Sequence, residues 1–202
     1  CIPEIKRKLM LDAKASYEWD PAVIIPEAPI FCYPNMFAMT NYRIAHELYN
    51  LGVPFIPRII TESAHSLTGI DIHPGARIGE EVFIDHGTGV VIGQTCEIGD
   101  RVRLYQGVTL GVKSFELDEE TGLPKKLVPR HPIIEHDVVI YAEATVLGRV
   151  TVGHHSVIGA NVFLASSLPP HSKIYEPAAR VGEVKKAARE RARKLEEENG
   201  GE

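Results

Sequence analysis

The sequence predicts a left-handed parallel β-helix preceded by a short α-helical segment. Three observations carry this. First, an aliphatic residue recurs at every sixth position: Ile72, Ile78 and Ile84; after one step of eight, Ile92, Ile98, Leu104 and Leu110; after a gap, Ile134, Ile140, Val146, Val152, Ile158 and Leu164. A period of six fits neither a helix nor an alternating strand. It fits a hexapeptide solenoid, in which each hexad is one short strand plus a turn and three hexads close one triangular coil. Second, four residues beyond the anchors stand Ala76, Val82, Cys96, Val102, Val108, Val138, Ala144, Val150 and Val162, small or β-branched side chains suited to a narrow interior. Third, Gly follows the anchor at Gly79, Gly93, Gly99, Gly111, Gly153 and Gly159, where a tight corner would obstruct a side chain. Chance spacing does not keep register over so many anchors.

Residues 1–66 lack the rhythm and read as an α-helical N-terminal segment. After Pro34, "NMFAMTNYRIAHELYNLG" sets Phe37, Ile44, Ala45, Leu48 and Leu51 at helical spacing, with Gly52 as the stop. A second helix is expected to start near Pro54 to Pro57 and to end before Gly69, while the Pro-rich "DPAVIIPEAPIFCYP" reads as irregular. The β-helix domain is expected over 67–182. Its gap, 112–130, is charged, contains Gly122 and two prolines, and reads as a loop thrown out from one corner. Long loops in compact domains are usually functional or disordered, and this one leads directly into "RHP", which favours function. Residues 183–202 are rich in Lys, Arg and Glu, as in the pair Lys186 and Glu190, and read equally as a solvated helix or a frayed tail, without chemistry.

The composition bounds the function. The chain has 202 residues, 44% hydrophobic and 24% charged, as for a soluble globular protein. A net charge of −5 argues against nucleic acid as a partner. No apolar run reaches membrane-spanning length, and no signal peptide is visible. Cys1, Cys32 and Cys96 do not make a disulfide framework, so a reducing cytoplasm is the expected location. A first residue other than Met suggests that a segment once stood upstream.

A β-helix core needs no charge, so the polar interruptions carry the chemistry. They are Asp71 and His73, Asp85 and His86 where the spacing slips to eight, and Arg130 and His131 at the end of the loop. His136, His154, His155 and His171 are further candidates, although a histidine alone is more often a satisfied surface residue. Asp71 and His86 are fifteen positions apart. At about eighteen residues per turn, allowing for the slip, they fall near each other on adjacent coils. An acid beside an imidazole fixes its tautomer and makes it a general base for an alcohol. No Ser or Cys sits in an obvious nucleophile elbow, so direct transfer is preferred to a covalent enzyme intermediate. A competing constellation is zinc held by His86, His131 and His136 across a trimer interface, as in γ-class carbonic anhydrases. It leaves Asp71, Arg130 and the helical segment without a role.

In order, "DPA", "YRIAHELY", "GIDIHPGARIG", "DHGTGVVIG", "GVTLG" and "RHP" resemble the serine O-acetyltransferases, over about residues 19–170. The resemblance implies acetyl transfer from acetyl-CoA to the L-serine hydroxyl, with His86 as base and Asp71 orienting it. It implies that Asp20 and Asp85 help bind the amino acid and that Arg130 and His131 hold its carboxylate. It places CoA along the later coils, at Gly111, Ala142 and Ala160, and implies no metal. It also implies L-cysteine as an inhibitor and a homotrimer or a dimer of trimers with sites between subunits. Three departures stand out. "GVKSFELDEETGLPKK" replaces the shorter Gly-rich loop of many members, "EPAAR" replaces "GVPAR", and the chain ends in "GGE" rather than Ile, so cysteine synthase is not an expected partner. Two other readings are an acyltransferase for another hydroxyl or a sugar, and a silent scaffold. Asp20 and "RHP" favour an amino acid over the first, and the acid placed for His86 argues against the second.

Overall fold

A computed structural model describes residues 2–176. Four helices lead: α1 (Ile2–Trp19), α2 (Ala28–Cys32), α3 (Pro34–Asn50) and α4 (Ile56–Thr68). Fourteen short strands follow: β1 (Asp71–Ile72), β2 (Arg77–Ile78), β3 (Phe83–Ile84), β4 (Val91–Ile92), β5 (Glu97–Ile98), β6 (Arg103–Leu104), β7 (Thr109–Gly111), β8 (Ile133–Ile134), β9 (Val139–Ile140), β10 (Thr145–Leu147), β11 (Thr151–Val152), β12 (Val157–Ile158), β13 (Phe163–Leu164) and β14 (Lys173–Ile174). They form three parallel sheets, β1-β4-β7-β10-β13, β2-β5-β8-β11 and β3-β6-β9-β12-β14, here called faces 1, 2 and 3. Every third strand stacks in register on the same face, as in Ile72↔Ile92 and Ile92↔Leu110. The prism is a left-handed parallel β-helix.

The anchors fill the prism. Ile72, Ile92, Leu104, Leu110, Ile134, Ile140, Val146, Val152 and Ile158 are at most 2% exposed, each burial removing a branched side chain from water for about 1.5–3 kcal/mol. The second inward position is buried at Ala76 through Ala144 and at Val162, while Val150 is partly buried. Ser156 takes the same slot in the fourth coil, fully buried, donating to the Pro169 carbonyl (3.3 Å) and accepting from the Ser172 N–H (3.0 Å).

The glycines after the anchors leave no room for a side chain, as expected, and the structure shows what fills that room. Left-handed backbone at the corners belongs mostly to other residues: Glu81, Arg101, Asp137, His155 and His171 between faces 2 and 3, and His86, Glu143 and Asn161 between faces 3 and 1. Gly99 is absent from that set; a Cβ there would lie 2.8 Å from the His136 nitrogen on the next coil. Close approach of coils, rather than turn geometry, excludes the side chain.

The helices close one end of the prism. Met39 and Tyr42 of α3 join the same buried cluster as Ile70 and Ile72, and the Tyr42 hydroxyl donates to the Ala76 carbonyl (2.7 Å). Arg43 grips Asp12 of α1 through two bonds (2.7 and 2.9 Å) and reaches the Gly79 carbonyl (2.8 Å), while Asp12 accepts from the Val82 N–H (3.1 Å). This buried pair ties α1 and α3 to the first coil. It leaves α1 with a buried face of Asp12, Ala13, Ala15 and Ser16, without the large apolar stripe that reveals a helix in sequence. The expected helices in 34–52 and 54–69 are α3 and α4; α2 is one turn inside the stretch read as irregular, and α1 was not anticipated. Loop 112–130 leaves the corner between faces 1 and 2 and carries one antiparallel bridge, Leu117↔Pro124. The charged tail 183–202 lies outside the described residues.

Candidate active site

The step of eight is a widening of the corner between faces 3 and 1. Twenty residues separate the paired Asp71 and Val91, and eighteen separate Val91 and Thr109. The two extra residues lie in Asp85–Val90, where His86 takes φ 57° and the Gly89 N–H donates to the Gly69 carbonyl (2.8 Å). The corner lifts the His86 imidazole out of the prism: it is 73% exposed, with Asp85 Oδ1 3.9 Å from Nε2.

Acidic groups gather around it. Asp20, at the end of α1, accepts from the Tyr33 hydroxyl and, at 2.8 Å, from the Ala22 N–H. The bond to Asp20, with burial and the charges of Asp20 and Asp85, pushes the Tyr33 hydroxyl up to about 12. Tyr105 is also raised, by burial first and then by Tyr141, Asp85 and Asp20, against an opposing pull from Arg103. Asp20 and Asp85 therefore act on the same two phenols, and among the described residues neither carboxylate has an Arg or Lys partner. Arg103, the nearby cation, lies 3.8 Å over the Trp19 ring instead. Two carboxylates without a basic partner give the corner the chemistry to accept a cation.

Asp71 stands at the start of the same coil, its N–H donating to the Val90 carbonyl (2.9 Å) at the far end of the widened corner. No hydrogen bond or ion pair joins it to His86. Its carboxylate faces Arg58 of α4 (3.6 Å) and lies close to Glu62 and His65. The sequence reading, which set Asp71 and His86 on adjacent coils, did not include these α4 residues.

Arg130 and His131 stand elsewhere, at the corner between faces 1 and 2. Thr95 organises them. Its Oγ1 accepts from the N–H groups of Arg130 (2.9 Å) and His131 (3.1 Å) and gives its own hydrogen to His131 Nδ1 (2.8 Å), which also accepts from the Thr95 N–H (3.2 Å). With Nδ1 an acceptor twice over, this network assigns the ring proton to Nε2. His131 is 7% exposed, and burial, with Arg130 and Arg149, lowers it to about 4. Its ring fills the space a side chain at Gly93 would take, 2.0 Å from where a Cβ would lie. His73 shares this corner and is likewise lowered to about 4, by burial first, then by Arg58, His131 and Arg130. The Arg130 guanidinium is steadied by Gln94 Oε1 (2.9 Å) and the Val128 carbonyl (3.2 Å) and has no carboxylate partner among the described residues. A guanidinium without a carboxylate partner gives this corner the chemistry to accept an anion.

The positions assigned to CoA divide as well. Ala142 and Ala160 stack below His86 on its corner, linked by Gly107 N–H to Thr88 O, Glu143 N–H to Gln106 O and Asn161 N–H to Ala142 O (each 2.9 Å). Gly111 ends β7, across face 1. His86, His131 and His136 fall on three different corners, so one chain does not assemble them into a zinc site. The residues the sequence reading missed are Tyr33, Thr95 and Arg58. Tyr33 sits in the stretch read as irregular and Thr95 inside an ordinary hexad, so only packing reveals them.

The family model described as bacterial transferase hexapeptide (six repeats) matches residues 131–166, which places the prism among the hexapeptide-repeat transferases. A plasmid-borne serine acetyltransferase of Synechococcus elongatus is 59% identical over 179 residues, 89% of this chain and 56% of that protein. The serine acetyltransferase of Mycobacterium tuberculosis is 43% identical over 163 residues, 81% of this chain and 67% of that protein. Among solved structures, serine acetyltransferase isoform 3 of Entamoeba histolytica in complex with cysteine superposes with a TM-score of 0.82 at 37% identity, over 95% of this chain and 65% of that one. The Brucella abortus serine acetyltransferase in complex with coenzyme A gives 0.77 at 33% identity, over 88% and 67%. The chain belongs to the serine acetyltransferase family. It spans a little over half of the Synechococcus protein and about two thirds of the other three.

Proposed function

We propose that this chain carries the site of an acetyl-CoA-dependent serine O-acetyltransferase. The observation that carries the reading is the charge separation between two corners of one prism: Asp20 and Asp85, with no Arg or Lys partner among the described residues, beside an exposed His86, and Arg130, with no carboxylate partner among them, beside a neutral, Nε2-protonated His131. Free serine has an ammonium and a carboxylate, which these corners match. Its two charged groups are about 2.5 Å apart through Cα, whereas one face of the prism spans about 15–20 Å at ~3.3 Å per residue. No single chain holds both ends of one serine. A second copy must bring its Arg130 corner to this copy's His86 corner, which three prisms arranged around an axis achieve at every junction. The functional unit is a homotrimer, and a dimer of trimers is compatible with it.

In the reaction His86 takes the proton of the serine hydroxyl as the oxygen attacks the thioester carbonyl. Asp71, swung from Arg58 towards the imidazole, stabilises the imidazolium. The carbon–sulfur bond breaks, and the departing thiolate takes the proton from His86. Acetyl-CoA lies along Ala142 and Ala160 with Gly111 across the junction, and no metal takes part. L-Cysteine carries the same two charged ends, so it competes with serine; the cysteine complex of the Entamoeba relative supports this. The unpaired Cys32 and Cys96 suit a cytoplasmic enzyme. Thiol release from acetyl-CoA, measured with L-serine, L-homoserine and sugars, tests the reading. Turnover with L-serine, inhibited by L-cysteine in competition with it, is expected. Turnover with a sugar alone would reject it.

A further inference from the structure

At the corner between faces 2 and 3, away from both half-sites, histidines stack through three successive coils. His136 and Asp137 lie on the third coil, His154 and His155 on the fourth and His171 on the fifth. The His155 N–H donates to the His136 carbonyl (3.2 Å) and the His171 N–H to the His154 carbonyl (2.8 Å), so the coil spacing stacks the corners one upon another. The rings follow: His136 stacks on His154 at 4.8 Å and His155 on His171 at 5.0 Å. Nothing in the proposed reaction uses them.

We infer that His136, Asp137 and His155 form a binding site for a divalent transition-metal ion, with zinc its natural probe. Asp137 Oδ2 lies 2.7 Å from His136 Nδ1 and 3.9 Å from His155 Nδ1, and the three residues offer ligand atoms all within 4.8 Å of one another. Zinc bonds of about 2.0–2.2 Å place tetrahedral ligands about 3.3–3.5 Å apart, which rotation of two half-exposed imidazoles provides. Two imidazoles and one carboxylate suit zinc and its neighbours better than magnesium or calcium, which take oxygen. Entry of the ion displaces the proton that His136 Nδ1 shares with Asp137, since ligand nitrogens must be deprotonated. Arg101 fixes the carboxylate's direction through Nε to Oδ1 and Nη2 to Oδ2, both 2.8 Å. Beside the site, Glu135 holds His154 Nδ1 (2.8 Å), which fixes the ring that stacks on the ligand His136. The ion would fasten the third coil to the fourth. Such a site departs from the expectation that the chain holds no metal.

Calorimetric titration of the full chain with zinc chloride tests this. One ion per chain should bind saturably, and His136→Ala, His155→Ala and Asp137→Asn should each weaken binding tenfold or more, with acetyl transfer unchanged. No saturable binding, or equal affinity in the His136→Ala/His155→Ala double variant, would overturn the site.

Discussion

At the corner between faces 3 and 1, the His86 imidazole is 73% exposed and its nearest charged neighbour is a carboxylate 3.9 Å away. At the corner between faces 1 and 2, the His131 imidazole is 7% exposed and Thr95 occupies its Nδ1 twice. One ring stands open to solvent; the other is held in one tautomer by Thr95. A general base must change its protonation during turnover, and an anchor for a carboxylate must not. Corner geometry separates the two histidines, by a two-residue widening at His86 and by close packing against Gly93 at His131, as the two proposed tasks require.

The largest effect should come from the exposed ring. His86→Ala is expected to lower kcat by about two to four orders of magnitude, the usual range for losing a general base, with serine binding largely kept. Near-normal turnover in a folded variant would remove His86 from the chemistry. A smaller effect is expected at the fixed corner. Arg130→Ala should raise the serine KM and the cysteine inhibition constant together, each about 10- to 100-fold, the worth of a charge-assisted hydrogen bond. Loss of serine affinity with cysteine affinity intact would separate the two ligands' sites.

The smallest effect concerns pH. His131 and His73 are both lowered to about 4 from an ordinary 6.5. Between those values the unfolded chain binds more protons than the folded one, so stability should rise with pH from about 4 to about 6.5 and owe nothing more to these rings above that. Denaturant unfolding of wild type and His131→Gln across this window checks it; the variant should show the shallower dependence. An equal slope would mean that His131 titrates normally.

Much of this contrast was legible in sequence and part was not. Hexad anchors announce themselves because each must be apolar, and the step from Ile84 to Ile92 marks the widened corner. That the glycines exclude a side chain was legible, but not what obstructs it, because contact between coils separated by many residues leaves no local signal; at Gly99 the neighbour is His136. α1 was missed because its buried face rests on Asp12, whose partner Arg43 lies thirty-one residues away. The separation of His86 from Arg130 was obscured by loop 112–130, which interrupts the count of hexads that assigns a residue to its corner.

The central claim is that one serine site takes its base from one copy and its carboxylate anchor from another. Unfolding His86→Ala and Arg130→Ala chains together in equal amounts, refolding them and measuring acetyl transfer tests it most directly. Each variant alone should be nearly inactive at low serine. Random mixed trimers juxtapose an intact His86 corner and an intact Arg130 corner at one junction each, so about a quarter of wild-type sites should return. Activity in the mixture no greater than the sum of the two variants refolded separately would mean that both corners serve within one chain, and would contradict the account.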